Sequence, residues 1–285
     1  MTWFILALSA TVFWAVGQVL VKRGFEHVSP LWNNIIFYLL SPFIFISAVL
    51  WLNGPKINIP TLPIFLVMFL ATASYMIFYY ALSKGKLALT GTVVAGYPVA
   101  TVVLSYLFLG ERLVGVQILG IFLALLGVLA VSLPEKSLPQ QVRDFSWLKW
   151  GLAAALLIGV GDFLAKISIN QVGSYSQVFI TALLALPLLA INYLIDKKGR
   201  PKPSFQGRRF LPALLGNGIM ALGSLTFALA LGQEKAALVV PVSSVYPALM
   251  AILAAIFLKE RITLKQALGI ASVVVGIMVV GMGSV

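Results

Sequence analysis

The stretch ALSKGKLALTGTVVAGYPVATVVLSYLFLGERLVGVQILGIFLALLGVLAV, residues 81–131, returns without a gap as ALGQEKAALVVPVSSVYPALMAILAAIFLKERITLKQALGIASVVVGIMVV, residues 230–280. Tyr97-Pro98 falls on Tyr246-Pro247, Glu111-Arg112 on Glu260-Arg261, Gln117 on Gln266, Gly120 on Gly269 and Gly127 on Gly276, an offset of 149 residues. About a third of the window is identical, the level at which duplicated membrane folds are recognised. The first helix repeats as well: Gly17, Gln18 and Lys22 fall on Gly161, Asp162 and Lys166, 144 residues later.

Composition sets the environment of this repeat. Of 285 residues, 61% are hydrophobic and 10% charged, against roughly 25% charged in a soluble domain. Apolar runs close to the roughly 20 residues that cross a bilayer recur about ten times, leaving no soluble domain. The spans are expected near 2–21, 31–52, 62–83, 88–109 and 114–133, then 148–169, 176–195, 210–231, 237–258 and 264–283. The expected fold is all-α and integral to the membrane, with residues 1–133 as the first repeat, 134–147 as linker and 148–285 as the second. The first run begins at Thr2 without a basic preceding region, so it is expected as a retained span. Pro63 and Pro212 are expected in first turns, whereas Pro42, Pro98, Pro187, Pro241 and Pro247 fall within spans, where proline kinks or loosens a helix.

Five spans per half is an odd number, so the second half enters the bilayer from the opposite side and the repeats are inverted. Charge then orients them. The odd-numbered connections hold nearly all the Lys and Arg, including Lys197, Lys198, Arg200 and Lys202, whereas the even-numbered ones hold only Lys56, Arg112 and Lys235. The positive-inside rule places the basic side in the cytoplasm and both termini outside it. The net charge of +12 is thereby an orientation signal rather than a nucleic-acid surface. No cysteine is present, and the lone histidine, His27, argues against a zinc or haem site. No Walker-type glycine loop accompanies the spans, so direct use of ATP is not expected. A membrane-embedded enzyme is disfavoured, because no acid pair or His/Cys cluster is present.

These residues carry a resemblance. The series from Ala81 through Gly91, Tyr97-Pro98, Leu109-Gly110-Glu111-Arg112-Leu113, Gln117 and Gly120 to Gly127, and again from Ala230 to Gly276, resembles the drug/metabolite transporter superfamily, specifically its EamA-like repeat. Trp14, Gly17, Lys22 and Pro30 resemble the opening helices of that repeat. The resemblance implies ten helices in two inverted five-helix repeats, a central cavity lined by helices 1, 3, 4, 6, 8 and 9, and helices 5 and 10 at the periphery. Members are described with both termini cytoplasmic, opposite to the charge asymmetry of this chain. The implied function is a secondary transporter of the cell membrane, moving an amino acid or related small metabolite, in the direction of export, by alternating access. Efflux of lipophilic cations or drugs, or movement of a lipid-linked sugar, is the alternative. No cofactor is expected, with a proton or cation gradient as the energy source left open. The expected partners are the lipid bilayer and the substrate, the protein being a monomer or weak oligomer that binds no nucleic acid.

Asp162 is the acidic residue deep within an expected span, and an ionisable group there normally faces protein or water. It either couples an ion or meets a cationic substrate group, or it neutralises Lys166 one turn away. Gln18 and Lys22 repeat the geometry without the carboxylate, and Lys22 at its helix end is suited to snorkel. Tyr97-Pro98 and Tyr246-Pro247, flanked by Thr90, Thr92, Ser243 and Ser244, are expected midway along helices 4 and 9. There Pro98 and Pro247 serve as hinges or as packing elements. Trp14, Tyr75, Tyr79, Tyr80 and Asn217 supply aromatic faces and hydrogen-bonding groups suited to a small amphipathic molecule. Glu111-Arg112 and Glu260-Arg261 are expected to pair or cap at the ends of helices 4 and 9, and the paired glycines to serve close helix packing.

Overall fold

The computed structural model describes residues 2–24, 27–53, 56–84, 94, 96–132, 146–199, 201, 207–258 and 263–282. Every regular element among them is a helix: α1 (Thr2–Gly24), α2 (Pro30–Asn53), α3 (Leu62–Ser74), α4 (Ile77–Lys84), α5 (Tyr97–Leu109), α6 (Gly115–Ser132), α7 (Ser146–Val172), α8 (Ser174–Ile195), α9 (Gly207–Leu231), α10 (Ala236–Ser243), α11 (Tyr246–Leu258) and α12 (Leu264–Met282). They make ten membrane spans. Six stretches of 20–24 residues are long and apolar enough to cross singly, since about 1.5 Å per residue matches a hydrocarbon core of about 30 Å. The third span is α3 and α4, joined at a turn of Tyr75 and Met76; the ninth is α10 and α11, joined at Ser244 and Val245. Of the fourth, α5 is the described half.

The packing exchanges the two repeats. Helix α1 lies on α9, and α7 on the broken pair α3 and α4; α2 meets α8, and α6 meets α12. Each contact is converted into another, or into itself, when a span is swapped for its counterpart five spans on. The crossing of α6 and α12 gives the hand of the exchange. A Cβ on Gly120 would lie 2.8 Å from the Gly276 carbonyl oxygen, and one on Gly127 2.5 Å from that of Gly269. An early glycine on one helix thus meets a late glycine on the other, so the two copies run in opposite directions. Lipid tails are as apolar as leucine, so such association depends on close backbone approach, which glycine alone permits here.

Hydrogen bonds between connections keep the two membrane faces distinct. On one face Thr2 donates to Gln233, Asn58 donates to the Val172 carbonyl, and Lys235 donates to the Arg112 carbonyl. On the other, Ser29 donates to the Gly199 carbonyl, Trp32 to that of Pro201, and Tyr80 to Asp196. Among the described residues these bonds join even-numbered connections to one another and odd-numbered ones to one another, the pattern of alternating spans.

Several expectations shift. Pro98 and Pro247 do not interrupt continuous helices: each is the second residue of a half-helix, α5 or α11, where its missing N–H costs little. Pro212 lies inside α9, which begins at Gly207, while Pro63 sits in the first turn of α3. The third span is broken without any proline, at Tyr75 and Met76. Gln117 and Gln266, landmarks of the repeat, cap α6 and α12 by accepting from the backbone N–H of Val114 and Thr263. Thr90, Thr92, Glu260, Arg261 and the side chain of Lys22 lie outside the described residues.

Candidate functional site

The cavity between the repeats has a volume of about 170 Å3 and is lined by residues from eight spans. Spans 1, 3, 4, 6, 8 and 9 contribute, as the resemblance implied, through α1, α3 and α4, α5, α7, α9 and α11; α2 and α8 contribute too, through Asn34, Phe37, Tyr38, Ser41 and Phe45 and through Gln177, Val178 and Thr181. The pair α6 and α12 stays outside. Position on the wall follows the repeat: Trp14 and Ile158, Gln18 and Asp162, and Phe37 and Thr181 are related by the offset of 144, and Tyr75 and Ser224, Phe78 and Phe227, and Tyr97 and Tyr246 by 149. Chemistry does not follow it. The first repeat presents mostly rings, whereas the second presents the carboxylate and smaller groups, so the two halves of a bound molecule meet different surfaces.

Asp162 lies about 15–20 Å by helical rise from either end of the span Lys149–Val172, close to mid-bilayer. It is 2% exposed. Its Oδ1 accepts a 2.6 Å hydrogen bond from the Tyr75 hydroxyl, and its Oδ2 has no partner among the described residues. Tyr75 stands at the break in the third span, so the departure from helical geometry brings that hydroxyl to α7. Tyr97 and Tyr246 also come within electrostatic reach of the carboxylate. Gln18 interacts with Tyr246 and Ser243 with Tyr97. The Trp14 ring packs edge-on to Tyr246, centroids 6.3 Å apart, and lies 5.2 Å from Phe227.

Of the residues singled out from sequence, Trp14, Gln18, Tyr75, Tyr79, Tyr97, Asp162 and Tyr246 line this cavity. Lys166 does not. Its Nζ donates to the Leu231 and Glu234 carbonyls, each at 2.7 Å, so it serves the end of α9 rather than Asp162. Helix termini leave four carbonyls without internal donors, and a lysine reaching from α7 satisfies two backbone oxygens there. Asn217 is fully buried beside the cavity: its Oδ1 accepts from Tyr79 at 2.5 Å, and its Nδ2 donates to Asn33 and to the Ala213 carbonyl. Those bonds tie α9 to α2 and α4. Ser243 donates to the Val240 carbonyl, while Thr11 donates to the carbonyls of Val242 and Ser243 exposed by the break in the ninth span.

Glu111 caps α10. Gly110, at φ 64°, ends α5 in the left-handed conformation that favours glycine, and the chain turns so that both Glu111 oxygens reach the first N–H groups of α10. Ala236 and Ala237 donate to them at 3.1 and 2.9 Å. The connection from α9 to α10 is therefore held from two sides, by Lys166 and by Glu111.

Tyr38, Phe227 and Gln177 are wall residues that the sequence did not single out. Phe227 had a signal, since it repeats Phe78 three residues before the quoted window. Tyr38 and Gln177 had none: their helices repeat weakly, and facing the cavity depends on helix rotation.

A family model for the EamA-like transporter family matches residues 1–133 and 145–282. The chain is 26% identical over 289 residues to the "Probable amino-acid metabolite efflux pump" of Escherichia coli, covering 96% of this chain and 92% of that one. It is 27% identical over 288 residues to the protein of the same name in Salmonella typhimurium, covering 95% and 92%. An uncharacterized protein of Methanocaldococcus jannaschii is 31% identical over 140 residues, which is 47% of this chain but 95% of its own. That relative is about one repeat long, as expected where the unit of duplication also exists singly. A solved crystal structure shares the fold, with a TM-score of 0.80 at 17% identity over 98% of this chain and 96% of that one. With the duplicated spans, the inverted packing and the family match over both halves, this chain belongs to the EamA-like transporter family.

Proposed function

We propose that this protein exports an amino acid or a related small metabolite across the cell membrane by alternating access, with residues 1–133 and 148–285 as the moving halves and both termini outside the cytoplasm. The observation that carries this reading is the position of the cavity. It lies between two oppositely directed copies, with a carboxylate near mid-bilayer, where a carrier can expose one site to either side by rocking the copies against each other. The wall residues Trp14, Gln18, Tyr79, Tyr97, Asp162 and Tyr246 contact the substrate, and the breaks beside Pro98 and Pro247 absorb the motion. The names of the enterobacterial relatives support the cargo class. Asp162 is the ionisable carboxylate on the described wall, so a proton or cation gradient would act through it. A lipid-linked sugar fits poorly, because about 170 Å3 is close to the cavity volume that holds a benzene-sized molecule.

Proteoliposomes preloaded with labelled amino acids and their amide, ester and amine derivatives test this reading. Saturable release and counterflow of at least one compound are expected, slowed about tenfold or more by Asp162→Asn. Release no faster than from empty liposomes, for every compound, would reject it.

A further inference from the structure

The orphan oxygen of Asp162 narrows the substrate class. Other buried polar groups on the wall are satisfied: Asn34 donates to the Met76 carbonyl, Tyr38 to that of Thr72, Thr72 to that of Met68, and Tyr79 to Asn217. A buried carboxylate oxygen left alone costs several kcal/mol unless it is protonated or meets a cation. Tyr97 and Tyr246 lie within electrostatic reach of the carboxylate, and Trp14 packs edge-on to Tyr246 on the same wall; aromatic faces within about 6 Å stabilise ammonium groups. Among the described residues the wall carries no cationic side chain, Lys166 being engaged by the carbonyls of Leu231 and Glu234. A zwitterionic amino acid entering this space would find a place for its ammonium and none for its carboxylate.

We propose that the cavity binds a small primary amine through its ammonium group, docked on Asp162 Oδ2 against Trp14, Tyr97 and Tyr246, and that the carried metabolite has its carboxylate absent or masked as an amide or ester. The proposal rests on the carrier reading for transport but not for binding. The volume suits roughly six to ten non-hydrogen atoms, by comparison with a cavity of similar size that holds benzene.

Four compounds with one branched side chain separate the charges: isopentylamine, leucinamide, leucine and 4-methylpentanoate. Thermal unfolding of the purified full-length protein at pH 7 is measured with each at equal concentration. The amine and the amide are expected to raise Tm by several degrees in a saturable way, with leucine and the acid giving no shift. Asp162→Asn should abolish the shift while leaving the unliganded Tm at or above that of the wild type, since it removes an unpartnered charge. Trp14→Leu, which keeps the carboxylate, should weaken the amine about fivefold or more. Leucine matching leucinamide, an undiminished shift in Asp162→Asn, or no shift with either amine would overturn the proposal. Counterflow of the same compounds in proteoliposomes separates the two readings. Amine-specific stabilisation without saturable movement would keep the site and reject the carrier, whereas movement indifferent to the amine would keep the carrier and reject the site.

Discussion

Two ionisable side chains one turn apart on α7 have different work. Asp162 faces the cavity with one oxygen bonded to Tyr75, and Lys166 leaves the wall to satisfy two backbone carbonyls. In sequence they look like an i, i+4 pair, yet such a pair is worth only a few tenths of a kcal/mol on an exposed helix, and the buried Leu231 carbonyl and the part-buried Glu234 carbonyl left without this donor would cost more. Lys166→Met is therefore expected to lower stability by about 1–3 kcal/mol, the penalty for leaving buried acceptors unsatisfied, read as a fall in Tm of the purified protein. Lys166→Arg, which keeps donors at that position, should recover part of the loss. Equal Tm values for the methionine variant and the wild type would show that the carbonyl contacts contribute nothing.

Broken spans and glycine crossings carry the architecture at the scale of elements. The third and ninth spans are each two half-helices, and freed backbone carbonyls are met by side chains, at the third from Asn34 and Tyr38 of α2 and at the ninth from Thr11 of the other repeat and Ser244 of the break itself, as membrane interiors require. Glu111 performs the equivalent service at the start of α10. Glu111→Ala should cost about 1–2 kcal/mol, as the loss of a helix cap does. Hydrogen exchange of the Ala236 and Ala237 amides should rise well before global unfolding, and unchanged protection there would contradict the cap. The α6–α12 crossing tolerates less. Gly127→Leu places a Cβ 2.5 Å from the Gly269 carbonyl oxygen, a contact that only backbone displacement relieves. Its expected result is loss of most folded protein after detergent extraction, with Leu129→Ala, on an exposed face of the same helix, extracting normally. Normal yield of the glycine variant would show that the crossing can open without cost.

For the whole molecule, two inverted copies and a one-sided distribution of Lys and Arg make orientation a measurable quantity. The chain has no native cysteine, so single cysteines report cleanly. In intact cells Lys56→Cys is expected to react with a membrane-impermeant thiol reagent, and Lys197→Cys to react only after lysis; both positions are exposed and lie on opposite faces. The reverse labelling pattern would overturn the orientation read from charge while leaving the inverted fold intact, because antiparallel packing of α6 and α12 holds either way up.

Duplication, ten spans and inversion were legible in the chain itself, because bilayer thickness fixes span length and an odd number of spans per copy fixes relative direction. Trp14, Asp162, Tyr97 and Tyr246 were legible for a related reason: polar and aromatic groups within apolar helices stand out against their surroundings, and Asp162 with Gln18 and Tyr97 with Tyr246 also fall at matching repeat positions. What Lys166, Asn217 and Glu111 do was decided only in three dimensions. Each satisfies atoms remote in sequence, Leu231 and Glu234, Asn33 and Tyr79, and Ala236 and Ala237 respectively. Hydrogen-bond demand at a helix end or in a buried wall depends on where neighbouring backbones stop and turn, and periodicity along one strand of sequence does not contain that information. The contribution of α2 and α8 to the cavity has the same origin, since the rotation of a helix that is apolar all round is set by the helices packed against it.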